Sequence, residues 1–140
     1  ACWGRETREA AIRFVTGMRG DEHRAANVEI KCFDAAANPY LVVGSLVAAG
    51  LAGVETGARL PQEMTGDPAT RSPQELADLG VRRLPQTLTE AVGHLEASTV
   101  LRRAMGDALF DAVVAVRRAE VDLFHGAAPE AVATSTRWVH

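Results

Sequence analysis

The sequence predicts an α+β fold that is mostly α, with one antiparallel β-hairpin over about residues 8–34 and helices over about residues 38–140. Three observations carry the prediction. Strand-like alternation of large residues occurs in only two short runs, Ala11 to Val15 and Asn27 to Phe33. From Asn38 onward it gives way to helix caps, breakers and apolar residues recurring every three or four positions. With 140 residues, 47% of them hydrophobic and 24% charged, the chain is globular in composition and long enough for one domain, or one piece of a larger one, with a modest core.

Between the two strand runs, Gly17, Gly20 and Asp21 make a polar turn, so the runs pair as an antiparallel hairpin. In the second run Val28, Ile30 and Cys32 face one side, the core side, while Asn27, Glu29, Lys31 and Phe33 face the other. An isolated two-stranded ribbon is marginal in water, so its edges expect strands that lie elsewhere. The chain also opens Ala1-Cys2-Trp3, with no initiator Met and no charged-then-apolar leader. Together these lead to the expectation of the C-terminal part of a larger catalytic domain, with Cys2 at a frayed end.

Asn38 can cap the next helix, Pro39 suits its first position, and Tyr40 to Val54 is almost wholly apolar or small, the pattern of a helix buried on most sides. Its glycines at 44, 50 and 53 each cost roughly 1 kcal/mol relative to Ala, which close approach by another backbone usually offsets. Residues 57–71 carry Pro61, Gly66, Asp67 and Pro68 without periodicity and read as a surface loop. Ser72-Pro73-Gln74-Glu75 is a capping box, and Gly80 ends the short helix that it opens. A further helix is expected from about Gln86 to Ala97. Ser98 then caps a long one through Phe124, with Leu101, Met105, Ala108, Leu109, Ala112, Val116, Ala119 and Leu123 as the stripe against a core and Arg102 on the exposed side. Gly126 closes it, and Pro129 opens a final short helix ending near Trp138.

Composition excludes several functions. A net charge of -3 and only seven aromatics do not make the basic face that a nucleic-acid binder needs, and no apolar run, Leu46 to Leu51 included, is long enough to cross a bilayer. A soluble cytosolic protein with reduced Cys2 and Cys32 is expected. His23, His94, His125 and His140 lack metal-ligand spacing. Lys31 stands between Ile30 and Cys32, so no P-loop forms on it, and the glycines at 50, 53 and 57 follow no strand as a dinucleotide fingerprint requires. Rich Ala and Arg with scarce Lys is the mark of a GC-rich genome. It leaves the single lysine, inside an alternating strand, needing its own account.

Four residues remain: Arg8, Arg13, Glu29 and Lys31. Arg8 lies just before the first strand run and Arg13 within it, so Arg8 must reach from the turn. Two readings fit. In one, the second strand carries an ordinary surface ion pair, Glu29 with Lys31, worth ~0 to 1 kcal/mol. In the other, guanidinium forks and an ammonium gather phosphate or carboxylate oxygens while the carboxylate helps hold a divalent metal. A lone carboxylate does not bind magnesium, so the other ligands would lie upstream.

The stretch Trp3-Gly4-Arg5-Glu6-Thr7-Arg8-Glu9-Ala10-Ala11-Ile12-Arg13, then Val28-Glu29-Ile30-Lys31-Cys32-Phe33-Asp34 and Ala37-Asn38-Pro39-Tyr40-Leu41, resembles the C-terminal part of the catalytic domain of glutamine synthetases. The likeness continues through Gly50-Leu51-Ala52-Gly53-Val54, the Ser72 cap, Leu84-Pro85 and Arg117-Arg118-Ala119-Glu120, nearly the whole chain. The resemblance implies an ATP-dependent ligase that forms a γ-glutamyl amide, from glutamate and ammonia or a small amine, through a γ-glutamyl phosphate. ATP and Mg (or Mn) are the implied cofactors. By the same resemblance Arg8 contacts the transferring phosphoryl group, Arg13 steadies the nucleotide phosphates, Glu29 ligates the metal and Lys31 binds the glutamate substrate.

Three positions depart from the family pattern. Lys31 stands where many members have Arg, which keeps the charge but loses the planar fork. Asn27 stands where many carry a further phosphate-binding arginine, so that contact is lost unless Arg24 substitutes for it. Ala69 falls where some bacterial enzymes have an adenylylated tyrosine, so that regulation is expected to be absent. Tyr40, part of the signature, is expected to pack. Members whose strand reads Glu-x-Lys include ligases acting on polyamines or other amines. The resemblance further implies a cytoplasmic homo-oligomer without nucleic-acid or membrane partners, and a 140-residue piece that is inactive alone. The competing expectation is a non-catalytic helical interaction module derived from the same fold.

Overall fold

In the computed structural model, which describes residues 1–138, the chain forms two compact units: residues 1–35 with 58–84, and residues 36–57 with 85 onward. His140 lies outside the described residues.

The first unit is built on a three-stranded sheet, one strand more than the sequence predicts. Strand β1 (Trp3–Arg5) runs parallel to β2 (Ile12–Val15), and β2 pairs antiparallel with β3 (Asn27–Ile30). The expected hairpin is therefore present, and its turn holds a single helical turn, α1 (Glu22–Ala25). Three residues containing a glycine give no alternation to read, which hides β1. Its place beside β2 covers one of the hairpin's edges. The unpatterned loop then covers the outer side of β1: Met64 N donates to Trp3 O at 2.9 Å, Trp3 Nε1 to Pro61 O at 2.9 Å, and Arg5 N to Glu63 Oε1 at 2.9 Å.

The small core here is Cys2, Ala10 and Met64, flanked by Leu76, Leu79 and Val81. This corrects both cysteine expectations. Cys2 is buried because strand β1 starts beside it, and Cys32 is exposed because β3 ends at Ile30, where β2 no longer offers a partner. After a 3-10 turn at Pro68–Thr70, helix α3 (Pro73–Asp78) begins on the predicted capping box: Glu75 N donates to Ser72 Oγ at 3.3 Å and Ser72 N to Glu75 Oε2 at 2.7 Å.

The second unit is helical. Helix α2 (Pro39–Glu55) starts as predicted, with Asn38 Oδ1 accepting from Tyr40 N at 3.0 Å and Leu41 N at 3.2 Å. It is not buried on most sides. Tyr40 is 86% exposed rather than packed, and Val43, Val47, Leu51 and Val54 are exposed along the same helix. A methyl placed on the glycines at 44, 50 or 53 would meet no neighbour within 4 Å, so no backbone approaches them closely. Helix α4 (Leu88–Glu96) is capped by Thr87. The expected single long helix is two, α5 (Thr99–Met105) and α6 (Asp107–Leu123), broken at Gly106, whose φ of 74° and ψ of 158° suit glycine and no L-residue. The break also resets the buried face. Phe110 of α6 and Val92 of α4 are buried, whereas Val116 and Leu123 of the predicted stripe are exposed. Helix α7 (Pro129–Thr136) ends two residues before Trp138.

Candidate functional site

The cross-strand register places Arg13 of β2 directly opposite Glu29 of β3. Their side chains meet, Arg13 Nη1 lying 3.2 Å from Glu29 Oε2 and 3.4 Å from Oε1. The other guanidinium nitrogen, Nη2, lies 3.4 Å from Glu6 Oε2, so one arginine sits between two carboxylates. Arg13 is only 16% exposed at its side chain, and its buried Nε has no acceptor. A buried donor left unpaired is costly.

Glu6 was not legible as part of the site. In the run Arg5-Glu6-Thr7-Arg8 it reads as one more solvated charge. In the fold it follows β1 with φ of 52°, the one described non-glycine residue in left-handed backbone. Its Oε1 accepts from Thr16 Oγ1 at 2.6 Å and from Thr16 N at 2.7 Å. Those Thr16 hydrogen bonds, with Arg13 nearby, hold the Glu6 carboxyl below its ordinary range.

Lys31 lies one residue beyond β3, its amide still donating to Ala11 O at 3.0 Å. Its ammonium donates to the carbonyl of Arg8, which ties the residue after β3 to the segment leading into β2. The Arg8 side chain is exposed and makes no ion pair or hydrogen bond among the described residues. All four predicted residues thus belong to one sheet region: Arg13 with Glu29 by ion pairing, Lys31 with Arg8 through a backbone carbonyl. Arg24 forms a 3.9 Å pair with Asp21, and Asn27 Nδ2 donates to Ala25 O at 3.1 Å.

No group of three or more His, Cys, Asp or Glu side chains suited to a metal occurs among the described residues. Glu29 nonetheless fits one position of such a site. It is half-exposed, and a carboxylate has about four lone-pair directions, of which Arg13 takes at most two. No described helix is long and apolar enough to cross a membrane.

A comparison with known families decides what this arrangement belongs to: the glutamine synthetase catalytic domain matches residues 1–134. The chain belongs to the glutamine synthetase catalytic domain family. It is 54% identical over 136 residues to the gamma-glutamylpolyamine synthetase GlnA3 of Streptomyces coelicolor, a match covering 97% of this chain and 29% of that protein. To the glutamine synthetase of Clostridium saccharobutylicum it is 35% identical over 120 residues, covering 86% of this chain and 26% of the relative. The Mycobacterium tuberculosis enzyme matches at 35% over 120 residues, with 86% and 27% covered. The chain therefore spans less than a third of the length of these relatives.

Arg102, expected to stand idle on the exposed side of the long helix, is engaged. It pairs with Asp107 at 2.9 Å and Asp111 at 3.0 Å, and its guanidinium lies 4.2 Å from the Phe110 ring centre. It secures the α5–α6 break. Arg103 is the exposed arginine of that turn.

Proposed function

We propose that this chain is the C-terminal portion of the catalytic domain of an ATP-dependent carbon–nitrogen ligase, and that it supplies part of the ATP, metal and glutamate sites. The reaction joins the side-chain carboxylate of glutamate to an amine through a γ-glutamyl phosphate. The observation that carries this reading is Arg8, a cation with no partner of its own among the described residues, held by its carbonyl beside the Arg13–Glu29 pair.

The chemistry asks for such a cluster. A carboxylate attacking a triphosphate brings two anions together, and transfer of the phosphoryl group spreads negative charge over its equatorial oxygens. Arg8 presents a fork to that charge, and Arg13 steadies the remaining phosphates. Lys31 offers the two N–H donors left after its bond to Arg8 O to the glutamate carboxylate. Glu29 is the carboxylate of this chain that would hold the divalent metal accompanying ATP, which when bound neutralises phosphate charge. Its further ligands come from residues outside this chain.

The acceptor we favour is a polyamine or other amine larger than ammonia. The relative at 54% identity is named for polyamine, and the strand here reads Glu29-Ile30-Lys31. The full-length protein is proposed to act in the cytoplasm as an oligomer of its own copies.

Phosphate release from ATP by the full-length protein, with glutamate, Mg and a panel of ammonia, ethanolamine and polyamines, tests the reading. Polyamines should give the highest kcat/KM. Ammonia exceeding them all overturns the acceptor assignment. Arg8→Ala and Glu29→Ala should each lower turnover by roughly a hundredfold or more, while Arg103→Ala leaves it unchanged. Equal losses in all three overturn the site assignment. The 140-residue piece alone should release no phosphate.

A further inference from the structure

The proposed ligase residues account for Arg8, Arg13, Glu29 and Lys31 but leave an unusual feature beside them without a role. Glu6 holds a backbone conformation that L-residues rarely adopt, at the corner where β1 turns toward Arg8. Its amide donates to Phe14 O at 3.0 Å, which anchors the corner to β2. Its carboxylate takes both donors of Thr16, at 2.6 and 2.7 Å, and reaches Arg13 Nη2 at 3.4 Å. One side chain thus closes the corner, marks the end of β2 and flanks the guanidinium on the side away from Glu29.

We propose that Glu6 is a positioning residue of this site, clasping Thr16 and Arg13 so that Arg13 and Arg8 meet the nucleotide phosphates in a fixed arrangement. This rests on the functional reading given above. The physical reason is competition for one guanidinium. With acids on both sides, Arg13 is shared, and Glu29 keeps lone pairs for other partners. Without Glu6, the guanidinium is free to close onto Glu29 and neutralise it. The corner loses its side-chain anchor at the same time, and Arg8, two residues on, loses its fixed origin.

Glu6→Gln separates these effects. The amide oxygen still accepts from Thr16, but its NH2 group faces Arg13 donor to donor and the charge is gone. In the full-length protein Glu6→Gln should raise the KM for ATP roughly tenfold, since small misplacements of a clamp are costly, while the KM for the amine stays within about twofold and the thermal midpoint holds. The Glu6→Gln/Arg13→Ala double variant should have the same KM for ATP as Arg13→Ala alone, because Glu6 acts through Arg13. A wild-type KM for ATP in Glu6→Gln, with Arg13→Ala raising it, overturns the proposal and leaves the site reading standing. A wild-type value in both variants overturns the two together. Equal shifts of every KM together with a lowered thermal midpoint in Glu6→Gln show a merely structural residue and also overturn it.

Discussion

Replacing Gly4 with alanine puts the seating of β1 to a quantitative test. A methyl at Gly4 would stand 2.5 Å from Thr7 Cγ2, 2.6 Å from the Met64 carbonyl oxygen and 3.7 Å from Ala10 Cβ. Thr7 is a side chain and can rotate. The Met64 carbonyl is backbone, and the same residue's amide is bonded to Trp3 O at 2.9 Å, so relief requires the covering segment to move from 2.6 Å to beyond 3.0 Å. Overpacking of this kind costs about 1–3 kcal/mol, and losing the Met64–Trp3 hydrogen bond adds about 1 kcal/mol. Alanine's smaller unfolded-state entropy returns about 0.4–1 kcal/mol. The net is a local destabilisation of about 2 kcal/mol, which corresponds to roughly thirtyfold faster amide exchange. Hydrogen–deuterium exchange on the full-length protein, followed at the peptide covering residues 61–64, reads this directly. Gly93→Ala in α4 is the matched control. The added methyl there meets no atom within 4 Å, and helix propensity favours Ala by about 1 kcal/mol, so α4 should exchange up to roughly fivefold more slowly. Exchange at residues 61–64 within twofold of wild type in Gly4→Ala would refute the close seating of β1.

Further outcomes follow from the second unit and its caps. Gly106→Ala should destabilise the α5–α6 junction by about 1–3 kcal/mol, because its backbone lies in a region used almost only by glycine; protection of the Arg102 and Phe110 amides is the readout, and an unchanged exchange rate refutes it. Asn38→Ala removes the acceptor for two α2 amides and should cost about 1 kcal/mol, while Asn38→Ser or Asp retains most of it, as urea midpoints of the full-length variants will show. Glu96 is held below the usual glutamate range by its side-chain hydrogen bond from Arg118, opposed by desolvation and aided by the Arg118 charge. A lowered folded value means the stabilisation is present above the usual range and is lost as pH falls through the lowered one. Acid titration should therefore loosen α4 from α6, and Glu96→Gln should flatten that dependence; an identical acid profile in the variant argues against the linkage.

The sequence was most readable where one residue type does one local job. Asn38, Ser72 and Glu75 each satisfy amides within their own helix turn, and their caps stand where the sequence predicts them. The alternation of Asn27 to Ile30 separated Glu29 from Val28 but not inside from outside: Val28, read onto the core side, is exposed, whereas Glu29 meets Arg13 across the strands. Legibility failed where the answer depends on a distant segment. Strand β1 is three residues held by β2 on one side and by residues 61–64 on the other, neither of which its own sequence announces. Glu6 depends on Thr16, ten residues away, and on a backbone angle that no composition encodes. The long helix failed for a different reason. Gly106 is tolerable inside a helix at about 1 kcal/mol, so the apolar periodicity across it outweighed the one residue that breaks it.

The balance of surface bears on why the site is best tested in the whole protein. The chain exposes 10676 Å² for a mass of 14.9 kDa, whereas a folded monomer of that mass is expected to expose about 7,000 Å², and two separate units sharing it about 8,400 Å². Division into two units therefore does not explain the excess. Apolar side chains contribute to it: Val43, Val47, Leu51 and Val54 of α2 stand open, as do Val116 and Leu123 of α6. At roughly 25 cal/mol per Å², covering 1,000 Å² of apolar surface contributes about 25 kcal/mol before entropic costs, more than the net ~5–15 kcal/mol that holds an ordinary domain. Under the function proposed above, sequence outside this chain would supply that cover. Arg8, Glu29 and Lys31 are open to solvent on one sheet region, and charge stabilisation of phosphoryl transfer is worth far more where water is excluded. Under that proposal, burying the apolar faces and completing the charged one are parts of one requirement. The isolated piece should accordingly lose stability and activity together.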